Sequence, residues 1–255
     1  MSVGLNADTE YLRRSSIPSG GAGTLSDGGF TNCFVGVWCY RPSSGNSYAL
    51  TSDGGIIHFQ SGAREVKLGF ENTFGAGTAA DPLLNIVFNS GGGTGSDQDF
   101  TGANFLDEWV YYFILENATD GQVVGYILLS DLGNIADSIT RANDNAGSQY
   151  INTLTFGNTS AGSQVTMGWY AYGRAVYASG LTTADVLAYA ASDVQDAGDW
   201  GFWPIVDNAD TGDDSGNGRT LTFNGTLTSE SSPTLGGGIP AAVLAALQYR
   251  LRRAS

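Results

Sequence analysis

The chain has 255 residues and a formal net charge of −14, with 11 Lys and Arg against 25 Asp and Glu. So acidic a surface repels nucleic acid and anionic membranes, and its plentiful aromatic and β-branched residues exclude a disordered low-complexity chain. Glycine, at 37 residues, points to many short strands joined by tight turns, and the length fits one large all-β domain as easily as two small ones.

Glu10 to Arg14 reads as a first strand. Phe30 to Arg41 follows as a strong one, with Cys33, Val35, Val37 and Cys39 on one face and Phe34, Gly36, Trp38 and Tyr40 on the other. Both faces are largely apolar, so both should be covered. The two cysteines, alone in the chain, lie six residues apart on one strand, roughly 20 Å and beyond disulfide reach. They are expected as buried free thiols of a protein made in a reducing cytoplasm. The N-terminus, MSVGLNADTEYLRRSS, lacks an apolar signal-peptide core.

Tyr48 to Thr51, Ile56 to Gln60 and Glu65 to Phe70 continue as short strands; in the last, Val66, Leu68 and Phe70 oppose a polar face, as in a sandwich. Leu83 to Asn89 is followed by a glycine-rich insert, Ser90 to Gly102. Trp109 to Leu115, too short an apolar run to span a bilayer, pairs with Gln122 to Ser130 through a turn. Asp131 to Ser148 has no strand or helix signature. Ile151 to Phe156 and Val165 to Tyr177 resume strand character. A helix is expected over Thr183 to Ala191, with Thr182 or Thr183 capping it and Asp185 complementing its dipole.

The last third carries the densest signal, DWGFWPIVDNADTGDDSGNGRTLTFNGTLTSESSP from Asp199 to Pro233. An aromatic strand, Trp200 to Ile205, enters an acidic Asp/Gly/Asn loop and leaves through Arg219 to Phe223. This stretch resembles the WPLxD…DxSGNG signature of laminin-G-like, concanavalin A-type jelly rolls. YLRRSS…FTNCFVGVWCYRP, DEWVYYFILENATDGQVVGYI and the LTTADV helix are similar to further parts of that pattern, so the resemblance spans residues 10 to 233. It implies an all-β jelly-roll sandwich of two antiparallel sheets with one short internal helix and a C-terminal helical or extended tail. The sandwich would cover residues 1–234, and residues 235–255 would form a glycine hinge and a basic tail.

Catalysis finds little support. His58, the single histidine, has no nucleophile elbow near it in sequence and is expected to be a structural or surface residue. Jelly-roll glycoside hydrolases set two carboxylates across the scissile bond. None of Glu10, Glu65, Glu71, Glu108, Glu116 and Glu230 falls in such spacing, so no catalytic residue is assigned.

Asp207, Asp210, Asp213, Asp214 and Asn217 supply the hard oxygen ligands calcium prefers, and calcium is the one cofactor they suggest; Asx-turn chemistry is the commoner use of such residues. Tyr170 and Tyr172 are candidates for stacking on a sugar. After the Gly236–Gly238 hinge, Leu244, Leu247 and Leu251 form a narrow apolar stripe beside Arg250, Arg252 and Arg253, a pattern suited to docking on an acidic partner or a neighbouring copy.

The opening strands and the DxSGNGRxLTxxGTLTxExxP ending are also similar to laminin-G-like proteins of tailed bacteriophages. That resemblance implies a non-enzymatic virion component (capsid decoration, head fibre or tail), made in the host cytoplasm and joined by its tail to other virion proteins or to itself. The alternative is a carbohydrate-binding adhesion module for host or environmental glycans.

Overall fold

Alternating apolar residues, broken by Gly, Ser and Asp turns, give the chain strands whose two faces are buried differently. The computed structural model describes residues 2–5, 10–19, 23–26, 32–43, 54–61, 64–71, 83–90, 96–100, 105–117, 121–141, 150–158, 168–205, 212–225 and 228–235. Fifteen strands and one α-helix lie among them: β1 (Ser2–Leu5), β2 (Tyr11–Arg14), β3 (Cys33–Tyr40), β4 (Gly54–Ser61), β5 (Arg64–Glu71), β6 (Leu83–Ser90), β7 (Ser96–Phe100), β8 (Trp109–Asn117), β9 (Gly121–Leu128), β10 (Asp137–Arg141), β11 (Thr153–Phe156), β12 (Gly168–Tyr177), α1 (Thr183–Ala190), β13 (Asp199–Trp203), β14 (Thr222–Asn224) and β15 (Thr228–Glu230). The described residues include no helix long and apolar enough to cross a membrane.

Two antiparallel sheets face each other. The first runs β10-β9-β8-β3-β12-β1-β15, and the second β14-β2-β11-β4-β5-β6-β7. The long β12 has β3 along one edge. Its other edge is shared, with β1 on Gly168 to Tyr170 and β13 on Gly173 to Val176. The chain thus forms the expected jelly-roll sandwich with one helix.

Between the sheets lie Cys33, Val35, Val37 and Cys39 of β3, Val66, Leu68 and Phe70 of β5, and Val110, Tyr112 and Ile114 of β8. Both cysteines are free and buried, and burial pushes the Cys39 thiol up to about 12, so it packs as an inert small hydrophobe. Trp200 and Trp203 join this core, their rings edge-on at 6.3 Å.

The outer face of the first sheet carries a second apolar cluster: Phe34, Trp38, Tyr111, Phe113 and Leu115, covered by Leu181, Val186 and Ala190 of the α1 segment. This cover explains why β3 and β8 read as apolar on both faces. Thr182 caps α1, and the Asp185 carboxylate accepts both its N–H and its hydroxyl at 2.7 Å. Trp38 Nε1 donates to Ala190 O at 3.1 Å, and Asn117 Nδ2 donates to Leu181 O at 3.2 Å. Gly36 is needed here, because a Cβ would collide with the Tyr111 hydroxyl.

Several expectations change. The insert Ser90 to Gly102 contains β7, and the polar stretch Asp131 to Ser148 contains β10. Both are edge strands, one in each sheet, and they meet along one edge of the sandwich, where polar residues tolerate one-sided pairing. Strands β1 and β15, which pair with each other, were not expected. Leu235 packs on the outer cluster, one residue beyond the expected end of the sandwich. Tyr48 to Thr51 and residues 236–255 lie outside the described residues.

Candidate functional site

The acidic loop is a staple. Asp213 Oδ1 accepts the backbone N–H groups of Phe202 and Ser215, both at 3.0 Å, and Oδ2 accepts that of Arg219 at 2.8 Å. Asn217 Nδ2 donates to the carbonyls of Asp199 (3.1 Å) and Trp200 (3.3 Å). Arg219 lays its guanidinium over the Trp200 ring, 4.2 Å from the centroid, and donates to Trp200 O. Trp203 Nε1 closes the far side by donating to Arg219 O at 2.7 Å. Gly216 and Gly218, at φ 76° and 68°, provide the left-handed turns this path requires. Asp213 and Asn217 thus perform the turn chemistry weighed against calcium, and Asp214 is exposed. Asp207 and Asp210 lie outside the described residues, among which no group of three or more His, Cys, Asp or Glu is placed to hold a metal.

His58 is 1 % exposed, with Nε2 3.1 Å from Glu65 Oε2. That hydrogen bond draws the Glu65 carboxyl below its usual range. The pair joins β4 to β5, and His58 has the structural place expected of it.

The tyrosine expectation needs correction. In a regular strand Tyr170 and Tyr172 would share a face, but β12 bulges between Ala171 and Arg174, with Tyr172 in the left-handed region at φ 47°. Tyr170, opposite Cys39 of β3, points between the sheets, wholly buried, and is not available to a sugar. Tyr172 lies on the outer face with Trp169, partly exposed.

That outer face presents a feature the sequence did not reveal. Strand register sets Trp109 opposite Tyr40 and Tyr40 opposite Trp169, across the adjacent strands β8, β3 and β12. At about 4.8 Å per strand the row is roughly 10 Å long. Tyr40 and Trp169 stack at 4.5 Å with planes 13° apart, and Trp109 leans on Tyr40 at 5.5 Å. Helix α1 covers the next row inward, Tyr111 and Trp38. At this end of the sheet Tyr40 and Trp169 stay partly exposed, while Trp109 is 8 % exposed.

Asp107 stands beside the row, exposed and at φ 59°. Its carboxylate accepts Ser43 N–H at 2.8 Å and the Ser43 hydroxyl, while the Tyr40 hydroxyl lies at 3.5 Å. The Ser43 hydrogen bonds hold the Asp107 carboxyl below its usual range. Partial burial, then the Asp107 charge, raise the Tyr40 hydroxyl. Glu108 accepts the Ser130 hydroxyl. Tyr40 is packed between Trp169 and Trp109, so the row is an apolar ridge edged by fixed acceptors; a polyhydroxylated ring can pack its C–H face along that ridge while its hydroxyls meet the carboxylates. Docking residues Leu244, Leu247, Arg250, Leu251, Arg252 and Arg253 lie outside the described residues.

No family model and no curated protein matches the chain. Among solved structures, the heptameric SAP-like pentraxin of Limulus polyphemus is similar at a TM-score of 0.52 and 11 % identity, over 92 % of this chain and 97 % of that one. A candidate carbohydrate-binding protein of Bacteroides ovatus is similar at 0.55 and 12 %, over 91 % of this chain and 61 % of that one. A tailspike domain of bacteriophage CBA120 matches at 0.43 and 16 %, over 69 % and 24 %. At these identities the likeness is one of fold, and the chain adopts the lectin-like jelly roll.

Proposed function

We propose that the chain is a non-enzymatic carbohydrate-recognition module displayed on the virion of a tailed bacteriophage. The observation that carries the recognition reading is the Trp109–Tyr40–Trp169 row, in which Tyr40 and Trp169 stay partly exposed, with Asp107 at its edge. Aromatic surface left open beside a face that is otherwise covered by a helix is the kind of surface ligands use. The virion reading rests on the sequence resemblance and on the basic tail, which would anchor the sandwich to other virion proteins or to a second copy. No catalytic step is assigned.

The test is a glycan array probed with the full chain and with Trp169→Ala. Binding to a subset of glycans, lost in the variant while its melting curve stays cooperative, is the expected result. A wild-type chain that binds no glycan on the array would overturn the recognition reading. Its presence as a stoichiometric band in purified virions, or its absence there, decides the other half.

A further inference from the structure

We propose that the aromatic row takes uncharged pyranosides and rejects anionic ones, with Asp107 the acceptor that orients the ring. This rests on the recognition reading above and names its ligand class. The groups beside the row accept hydrogen bonds. The Asp107 carboxylate is acceptor-only and exposed, and its three protein contacts do not use all of its roughly four acceptor positions. The Tyr40 hydroxyl lies 3.5 Å from that carboxylate and can donate its proton there, which leaves its oxygen as an acceptor. Sugar hydroxyls supply the matching donors. A uronate, sialate or sulfate would instead bring a second anion against Asp107, with Glu108 adjacent and a body of net charge −14 behind it.

The cation nearest in sequence does not offset this. The Arg41 backbone carbonyl accepts the Asp107 N–H at 2.8 Å. Its side chain is 3 % exposed, with the guanidinium 4.0 Å above the Phe70 ring in the sandwich core. Asp107 is itself held rigidly, by the left-handed backbone and by two contacts from Ser43. A carboxylate so placed needs no reorganisation to meet a ligand.

The experiment is calorimetric titration with maltohexaose, cellohexaose, mannohexaose and hexagalacturonate, at low and high salt, on wild type, Asp107→Asn and Trp169→Ala. Asparagine tolerates the left-handed backbone and keeps an acceptor for Ser43, so Asp107→Asn should fold with an unchanged melting curve. At least one neutral probe should bind about tenfold or more tightly than hexagalacturonate, a ratio that narrows at high salt. Asp107→Asn should weaken the neutral probe about fivefold, because a charged acceptor is roughly twice as strong as a neutral one, and should narrow the same ratio. Trp169→Ala should abolish binding. Equal or tighter binding of hexagalacturonate, or a ratio unmoved by Asp107→Asn, overturns the specificity and leaves glycan recognition standing. Neutral binding indifferent to Trp169→Ala overturns the site, and no binding of any probe overturns both readings together.

Discussion

Replacing Asp213 by alanine removes the acceptor for three backbone N–H groups at once. Hydrogen bonds to a charged group are worth about 1.5–3 kcal/mol each, but the three are not equivalent. The amides of Ser215 and Arg219 belong to a partly exposed loop and can turn to water. The amide of Phe202 lies in β13, a strand buried throughout, and would be orphaned at a cost of about 1–3 kcal/mol. Allowing about half a kcal/mol for each rehydrated amide gives a loss of roughly 2–4 kcal/mol. In a domain of this size that is about 5–15 °C in Tm. Asp213→Asn keeps the Oδ1 acceptor and turns an N–H toward the Arg219 N–H, so it should cost roughly half as much. The assay is urea unfolding followed by tryptophan fluorescence, since Trp200 and Trp203 flank the staple. The midpoint should fall at constant m, with or without chelator. An alanine variant as stable as wild type would refute the staple. A chelator that lowers the wild-type Tm, with calcium restoring it, would place a metal where backbone amides are drawn here.

Trp38→Ala should cost about 3–5 kcal/mol, because a fully buried ring is lost and Ala190 O loses its donor; a variant of wild-type stability would detach α1 from the role given to it. Asp199, 4 % exposed, has its carboxyl pushed up to about 6, first by burial, with Arg174 Nε 3.3 Å away pulling it down. Its folded pKa exceeds the unfolded value of about 3.9, so the folded state binds the extra proton and this group's contribution falls as pH rises from about 4 to 6. Asp199→Asn should remove that fall from a Tm-against-pH curve, and parallel curves for the two proteins would refute the assignment. Truncation after Leu235, which must stay because it packs on the outer cluster, should leave a folded chain of near-normal Tm that no longer assembles; full occupancy without residues 236–255 would show that the tail is not the anchor.

The faces of β3 and β5 were legible in the sequence because side chains alternate with a period of two. Cys33, Val35, Val37 and Cys39 face the interior as their spacing requires, and Val66, Leu68 and Phe70 do the same. The helix was legible from Thr182 and Asp185, and the staple in outline from its Asp, Asn and Gly residues, since caps and turns are local chemistry. The edge strands β7 and β10 were hidden because their polar residues carry no alternation.

The bulge in β12 could not be read either, and it set Tyr172 on the face opposite Tyr170: one extra residue reverses the alternation across it. The aromatic row was beyond the sequence for a different reason. Tyr40, Trp109 and Trp169 are separated by more than fifty residues at each step, and only the register of β3 against β8 and β12 sets them side by side. Local pattern thus determined which residues are buried, while pairing between distant strands decided which aromatics share a surface and which of them α1 leaves open.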